Sequence, residues 1–138
     1  MAINFGGDSW GGCNQAAMRR RAKDPRHPLV YRIEYAAIGW ANNIGHSRLG
    51  GLTLMQILAD GRGKEPHRNT LNKAIAEAKD RGLIEPASNA RCLVVSQRVF
   101  QRGGRGSYTC DEHGVSRGLR VTPLMRQGDA SGASPSGT

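Results

Sequence analysis

Apolar residues recur at intervals of three and four along residues 28–45, which is the spacing of one face of an α-helix. Pro28 suits the first turn of a helix because its missing N–H needs no partner there, and Gly45 suits a left-handed stop. The pattern predicts a helix over residues 28–45 with one core-facing stripe, made of Val30, Ile33, Ala37, Trp40, Ala41 and Ile44.

Two more helices are predicted downstream. A short one covers about residues 52–60, and its inward positions are Leu54, Ile57 and Leu58. A turn rich in Gly and Lys/Arg follows, and then a third helix over residues 67–81 that ends at Gly82. The apolar stripe of this third helix is Leu71, Ala74, Ile75 and Ala78.

A β-hairpin is predicted directly after the third helix. Residues 83–85 begin one strand, residues 86–90 form a turn, and residues 91–96 are β-branched and suit a return strand. The predicted fold class is therefore mainly α with a small β-hairpin (α+β), carried by residues 28–98.

The two flanks differ from this centre in composition. Residues 1–27 are Gly-rich and then basic, and we expect a solvated arm there, although part of the segment around Met18 suits a helix. Residues 99–138 form a basic extension with a Gly/Arg run, and Gly, Ser, Pro and Ala predict disorder toward its end at residues 128–138.

Charge indicates the class of partner. The chain carries 20 Lys+Arg against 11 Asp+Glu, a formal net charge of +9. Such a field favours encounter with the phosphates of nucleic acids. Three cysteines in unlike contexts indicate no disulfide framework, and no apolar stretch is long enough for a membrane span. We therefore expect a cytoplasmic, nucleoid-associated protein with no membrane partner.

The order helix, short helix, turn, helix, hairpin over residues 28–98 resembles the winged-helix (winged helix-turn-helix) DNA-binding proteins. The segment 68–85 carries most of the resemblance: a polar, basic start, an apolar stripe, and Arg81-Gly82-Leu83-Ile84 leading to a strand. It is similar to small regulators of high-GC bacteria, their phages and plasmids. The resemblance implies a non-enzymatic duplex DNA-binding protein that acts in transcription or replication control.

The third helix then supplies most of the expected DNA contacts. Arginine suits guanine and asparagine suits adenine, whereas lysine more often positions phosphates. Thr70 suits a phosphate or a thymine methyl group, and Arg91 in the wing suits phosphates or the minor groove. The predicted DNA-binding residues are Arg68, Asn69, Thr70, Asn72, Lys73, Lys79 and Arg91.

Zinc is a weaker hypothesis. Cys110 and His113 form a Cys-x-x-His pair, and Cys92 and Cys13 would complete four ligands of plausible type. The spacing is not that of a zinc finger, and Cys92 lies in a predicted core strand. The Asp111-Glu112 pair also has no catalytic partner nearby. The sequence therefore predicts no metal, no cofactor and no enzymatic activity.

Two other functions stay open. The Arg/Gly run at residues 102–108 resembles RNA-contacting segments, which suits an RNA-binding protein. A winged helix can also dock on a protein partner of the transcription or replication machinery. A homodimer would suit recognition of a palindrome, although the sequence shows no heptad seam.

Overall fold

The computed structural model describes residues 3–116 and 119–120. Within these residues the chain forms four helices and four two-residue strands. The helices are α1 (Gln15–Lys23), α2 (Leu29–Gly39), α3 (Gly51–Ile57) and α4 (Arg68–Asp80). The strands are β1 (His46–Ser47), β2 (Leu93–Val94), β3 (Val115–Ser116) and β4 (Leu119–Arg120). The predicted α+β class is confirmed, while the predicted disorder at residues 128–138 lies outside the described residues.

The core forms where the apolar stripes of α2, α3 and α4 meet. Ile33, Leu54 and Leu71 contribute its largest fully buried side chains from these three helices. The predicted inward positions of α3 and α4 are all buried, and Gly82 ends α4 with a positive φ of 74°. The helical periodicity of these two segments was therefore a sound guide to their packing.

A buried cation holds the helices together. Arg32 of α2 is only 4% exposed, and its guanidinium donates to the carbonyl oxygens of Ile57, Leu58 and Ala59 at the end of α3 and of Ala22 in α1. Carbonyls at helix C-termini lack intrahelical partners and carry partial negative charge. Arg32 therefore satisfies the ends of two helices from the middle of a third.

Helix α2 is shorter than predicted and ends at Gly39, so residues 40–45 are not helical. Its last carbonyls bond to side chains of α1: Arg19 Nε donates to Gly39 O at 2.6 Å, and Gln15 Nε2 donates to Ile38 O at 2.9 Å. A Cβ at position 39 would lie 2.9 Å from Arg19 Cγ, so glycine permits this close approach. Gly45 does take a positive φ, but in the turn before β1.

The basic N-terminal segment is not wholly a solvated arm. Residues 15–23 form α1, which begins at an Asn14 side-chain cap and packs against α2. Ala22 is fully buried, and the cations of Arg19 and Lys23 lie 5.4 and 5.8 Å from the Trp40 ring centroid. The contacts that order this helix are with a distant segment, so its own composition did not reveal them.

The sheet pairing also differs from the predicted hairpin. Strand β2 pairs with β1, antiparallel, with His46 opposite Val94. Residues 83–85 form no strand and add one ladder-like bond, from Glu85 N to Val94 O at 2.8 Å. Val94 N donates to the side-chain oxygen Ser88 Oγ instead of to a backbone carbonyl of a neighbouring strand. The predicted turn at residues 86–90 is present and extends to Arg91, but the strand that follows it, β2, pairs with β1.

Residues after Val99, at the start of the predicted basic extension, pack against the rest of the protein. Phe100 is buried in the main core. The Gly/Arg run folds back on the loop after α2, because Asn43 Nδ2 donates to Gly104 O at 2.9 Å and Asn43 N donates to Ser107 O at 2.9 Å. Strands β3 and β4 then form a second antiparallel pair.

We expect Arg32→Met to lower the free energy of unfolding by about 3 kcal/mol, because several buried carbonyls would lose their donor. Arg32→Lys should also destabilise, since an ammonium lacks the planar fork that reaches several acceptors. Urea denaturation measures both changes. The exposed Arg98 offers the matched control Arg98→Met, and equal midpoints for the Arg32 and Arg98 variants would contradict the role given to Arg32.

Candidate functional site

The N-terminal half of α4 presents a polar, cationic surface. Arg68, Asn69, Asn72 and Lys73 are all exposed, and the opposite side of the helix is buried through Leu71 and its stripe. None of the four side chains makes a hydrogen bond or ion pair within the part of the chain that the structure describes. The four donor groups therefore face solvent on a helix that is anchored from behind.

The loop before α4 adds cations to the same end of the helix. Asp60 Oδ1 accepts from the backbone N–H groups of Arg62 and Lys64, both at 2.9 Å, and these bonds keep the pKa of Asp60 below its usual value. The Arg62 and Lys64 side chains are left exposed. His67 caps α4 by accepting from Asn69 N at 3.1 Å. The loop also carries the exposed acids Asp60 and Glu65, which balance these two cations, so the net positive surface is that of the first two turns of α4.

The second half of α4 is less cationic. Glu77 pairs with Arg81 at 2.5 Å, and Asp80 is exposed. Lys79 is only half-exposed. An anionic ligand therefore has its most favourable approach at the N-terminal half of the helix.

Two grooves flank α4 and divide the predicted contact residues between them. The first, of about 350 Å³, brings Arg68, Asn72 and Arg91 together beside α3. The second, of about 530 Å³, lies between α4 and the start of α2 and takes Thr70 and Lys73. Asn69 and Lys79 line neither of these grooves.

Arg91 is not a free cation. Its guanidinium pairs with Glu112 at 3.0 Å, and Asn89 Nδ2 donates to the same carboxylate at 3.1 Å. These two donors lower the pKa of Glu112 below its usual value. Sequence patterns do not reveal this partner, because Glu112 lies 21 residues beyond Arg91.

A second cluster of reactive side chains lies beside that ion pair. One donor atom each from His46, Cys92, Cys110 and His113 lies within 4.8 Å of all the others. The zinc hypothesis had grouped Cys13 with Cys92, Cys110 and His113, but Cys13 is exposed and free. His46 takes its place, and no spacing rule could have found a residue 46 positions before Cys92.

The two buried thiols of this cluster are reduced. Cys92 Sγ and Cys110 Sγ lie 3.6 Å apart, far beyond the roughly 2.05 Å of a disulfide bond. Burial, together with the neighbouring Cys110 thiol, raises the pKa of Cys92 well above its ordinary value. Coordination of a metal ion reverses this effect, because the thiol then releases its proton to solvent and binds the metal as a thiolate.

Comparison with known proteins does not assign this chain to a family, because no family model, curated protein or solved structure matches it. Within the described residues, no helix has the length and apolar character needed to cross a bilayer.

Proposed function

We propose that this protein binds duplex DNA as a regulator of transcription or replication and inserts the N-terminal half of α4 into the major groove. One observation carries the proposal. Arg68, Asn69, Asn72 and Lys73 project from one anchored helix with no partner among the described residues. The net charge of +9 supports a polyanionic ligand.

The chemistry of this surface fits base recognition. The major groove admits an α-helix, and its base edges offer acceptor pairs to arginine at guanine and mixed donor–acceptor pairs to asparagine at adenine. We assign base contact to Arg68, Asn69 and Asn72, and phosphate contact to Lys73. Thr70 adds a hydroxyl at the neighbouring groove.

The surroundings of α4 suit a winged-helix arrangement on DNA. Helix α3 precedes α4 as the support of the recognition helix does in helix-turn-helix proteins, and its C-terminus is held by Arg32. The turn at residues 86–91 takes the place of a wing and brings Arg91 to the groove of Arg68 and Asn72. Arg62 and Lys64 supply further cations for phosphates, and the half-buried Lys79 contributes less.

The alternative of RNA binding through residues 102–108 has weaker support. Arg102 donates to the carbonyl oxygens of Ala41 and Arg105, and Tyr108 donates to Gly104 O. A segment engaged in this way lacks the mobility of a disordered RNA-contacting tail. Docking on a protein has one feature in its favour, since Leu52 of α3 is 76% exposed at the edge of the α4 groove.

The first test combines selection of duplexes from a random pool with titration of the selected duplex in several salt concentrations. We expect the double variant Arg68→Ala/Lys73→Ala to bind at least about tenfold more weakly and to lower the salt slope by about two. Arg98→Ala, an exposed arginine that lines neither groove of α4, should bind like the parent.

Three outcomes would count against DNA binding by α4. They are purified protein that does not bind duplexes in dilute buffer, a double variant that binds like the parent, and single-stranded RNA that competes better than duplex DNA. Loss of function on Leu52→Asp, with Arg68→Ala/Lys73→Ala unaffected, would instead assign the surface to a protein partner.

Asn72 allows a sharper test of base recognition. We expect Asn72→Ala to relax the preference at one base pair of the selected site and to cost about 1–3 kcal/mol there. Repeating the titration with duplexes altered at single positions measures this. An equal loss on every duplex would assign Asn72 to phosphate contact instead.

A further inference from the structure

We propose that His46, Cys92, Cys110 and His113 form a structural zinc site. Among the described residues, this is the group of His, Cys, Asp and Glu side chains whose donor atoms converge as metal ligands do. Two sulfurs and two imidazole nitrogens are a donor set that zinc takes in structural sites.

Three of the six distances between the donor atoms lie close to the edges of a zinc tetrahedron, and all six are within 4.8 Å. With ordinary Zn–S and Zn–N bonds, tetrahedral geometry separates two sulfurs by about 3.8 Å and a sulfur from a nitrogen by about 3.5 Å. The Cys92 and Cys110 sulfurs are 3.6 Å apart. Cys92 Sγ lies 3.7 Å from His46 Nδ1, and Cys110 Sγ lies 3.5 Å from His113 Nδ1. Sulfur atoms and rings held at these separations leave room for one ion between them.

The backbone delivers the ligands from three separate segments. His46 lies in β1, opposite Val94 of β2. Cys92 follows a turn in which Asn89 Oδ1 accepts from both Arg91 N and Cys92 N. Cys110 and Val115 exchange two backbone hydrogen bonds of 2.8 Å, which close a tight loop around His113.

The second ring nitrogen of His113 is bonded as a zinc ligand requires. Nε2 lies 2.7 Å from the carbonyl oxygen of Ala87, which can only accept, so Nε2 carries the proton. Nδ1, on the Cys110 side, is then the unprotonated nitrogen that coordinates a metal. Such a bond from a ligating histidine to a backbone carbonyl fixes both the ring and its tautomer.

Burial and charge indicate a structural ion rather than a catalytic one. Cys92, Cys110 and His46 are at most 8% exposed, and four protein ligands leave no open position for a substrate. Two thiolates also neutralise Zn²⁺ without help from the nearby acids. Those acids are already paired, Asp111 with Arg48 and Glu112 with Arg91.

A zinc ion at this site would explain how the smaller of the two apolar clusters is stabilised. The smaller core cluster contains only Cys92, Val94 and Cys110, flanked by Ile44 and Val115. So few apolar groups stabilise little on their own, whereas zinc binding adds directly to folding free energy. The ion would tie the loop at residues 110–115 to β1 and to the turn that carries Arg91.

The test is metal analysis of the full-length protein, purified without chelators or added metal. We expect about one zinc per chain by inductively coupled plasma mass spectrometry. After a strong chelator, the melting temperature should fall by about 10 °C or more and recover with Zn²⁺. Co²⁺ in place of Zn²⁺ should give the absorption of a tetrahedral site with two sulfur ligands.

Variants separate coordination from simple packing. Cys110→Ser and His113→Ala should each reduce bound zinc to below about a tenth per chain, whereas His113→Cys should keep it, because a thiolate can replace the imidazole. Cys13→Ser changes an exposed cysteine outside the cluster and should leave the zinc content unchanged.

The proposal would be overturned by a parent protein that is folded, contains below about 0.1 zinc per chain and shows neither a stability gain with Zn²⁺ nor a cobalt spectrum. A disulfide between Cys92 and Cys110 in the parent as purified, found by mass spectrometry after alkylation, would overturn it as well. These measurements do not depend on DNA binding, so they stand whether or not α4 enters a groove.

Discussion

The guanidinium of Arg32 is the contact on which the helical body depends. It is buried without a carboxylate partner among the described residues, and it instead satisfies four backbone carbonyls at or near the ends of α1 and α3. Burial lowers the pKa of this guanidinium from its ordinary value, yet arginine stays charged in proteins. One cation in α2 thus replaces the separate caps that the two helices would need.

This arrangement determines what α4 can present. With α2 and α3 held together, the stripe that begins at Leu71 is buried against them, so the polar residues of α4 point outward. Its first half carries Arg68 and Lys73 and no acidic residue, whereas its second half carries Glu77 and Asp80 beside Lys79. The helix is therefore polarised along its axis, and our functional proposal follows from that polarity together with the absence of partners for Arg68 and Lys73 among the described residues.

A second centre organises the part of the molecule after α4. His46, Cys92, Cys110 and His113 come from β1, from the residue before β2 and from the loop before β3, so they connect segments that share few apolar contacts. Glu112, within that loop, pairs with Arg91 at the edge of the α4 groove. A zinc ion at the cluster would thus order the loop that positions this arginine, without contacting nucleic acid itself.

Elements that depend on local patterns could be predicted from the amino-acid sequence alone. The periodicity of residues 67–81 gave α4 to within one residue at each end, together with its buried stripe, and the exposure of Arg68, Asn69, Asn72 and Lys73 followed from the same period. Where bonding partners are far apart in the chain, the tertiary contacts set the ends of helices and the pairing of strands. Helix α2 ends early because Gln15 and Arg19 bond its last carbonyls, and β2 bonds to β1 rather than to residues 83–85. His46 joins Cys92 only through that strand pairing. Contacts between residues far apart in the chain leave no periodic trace in either segment, so only the folded chain reveals them.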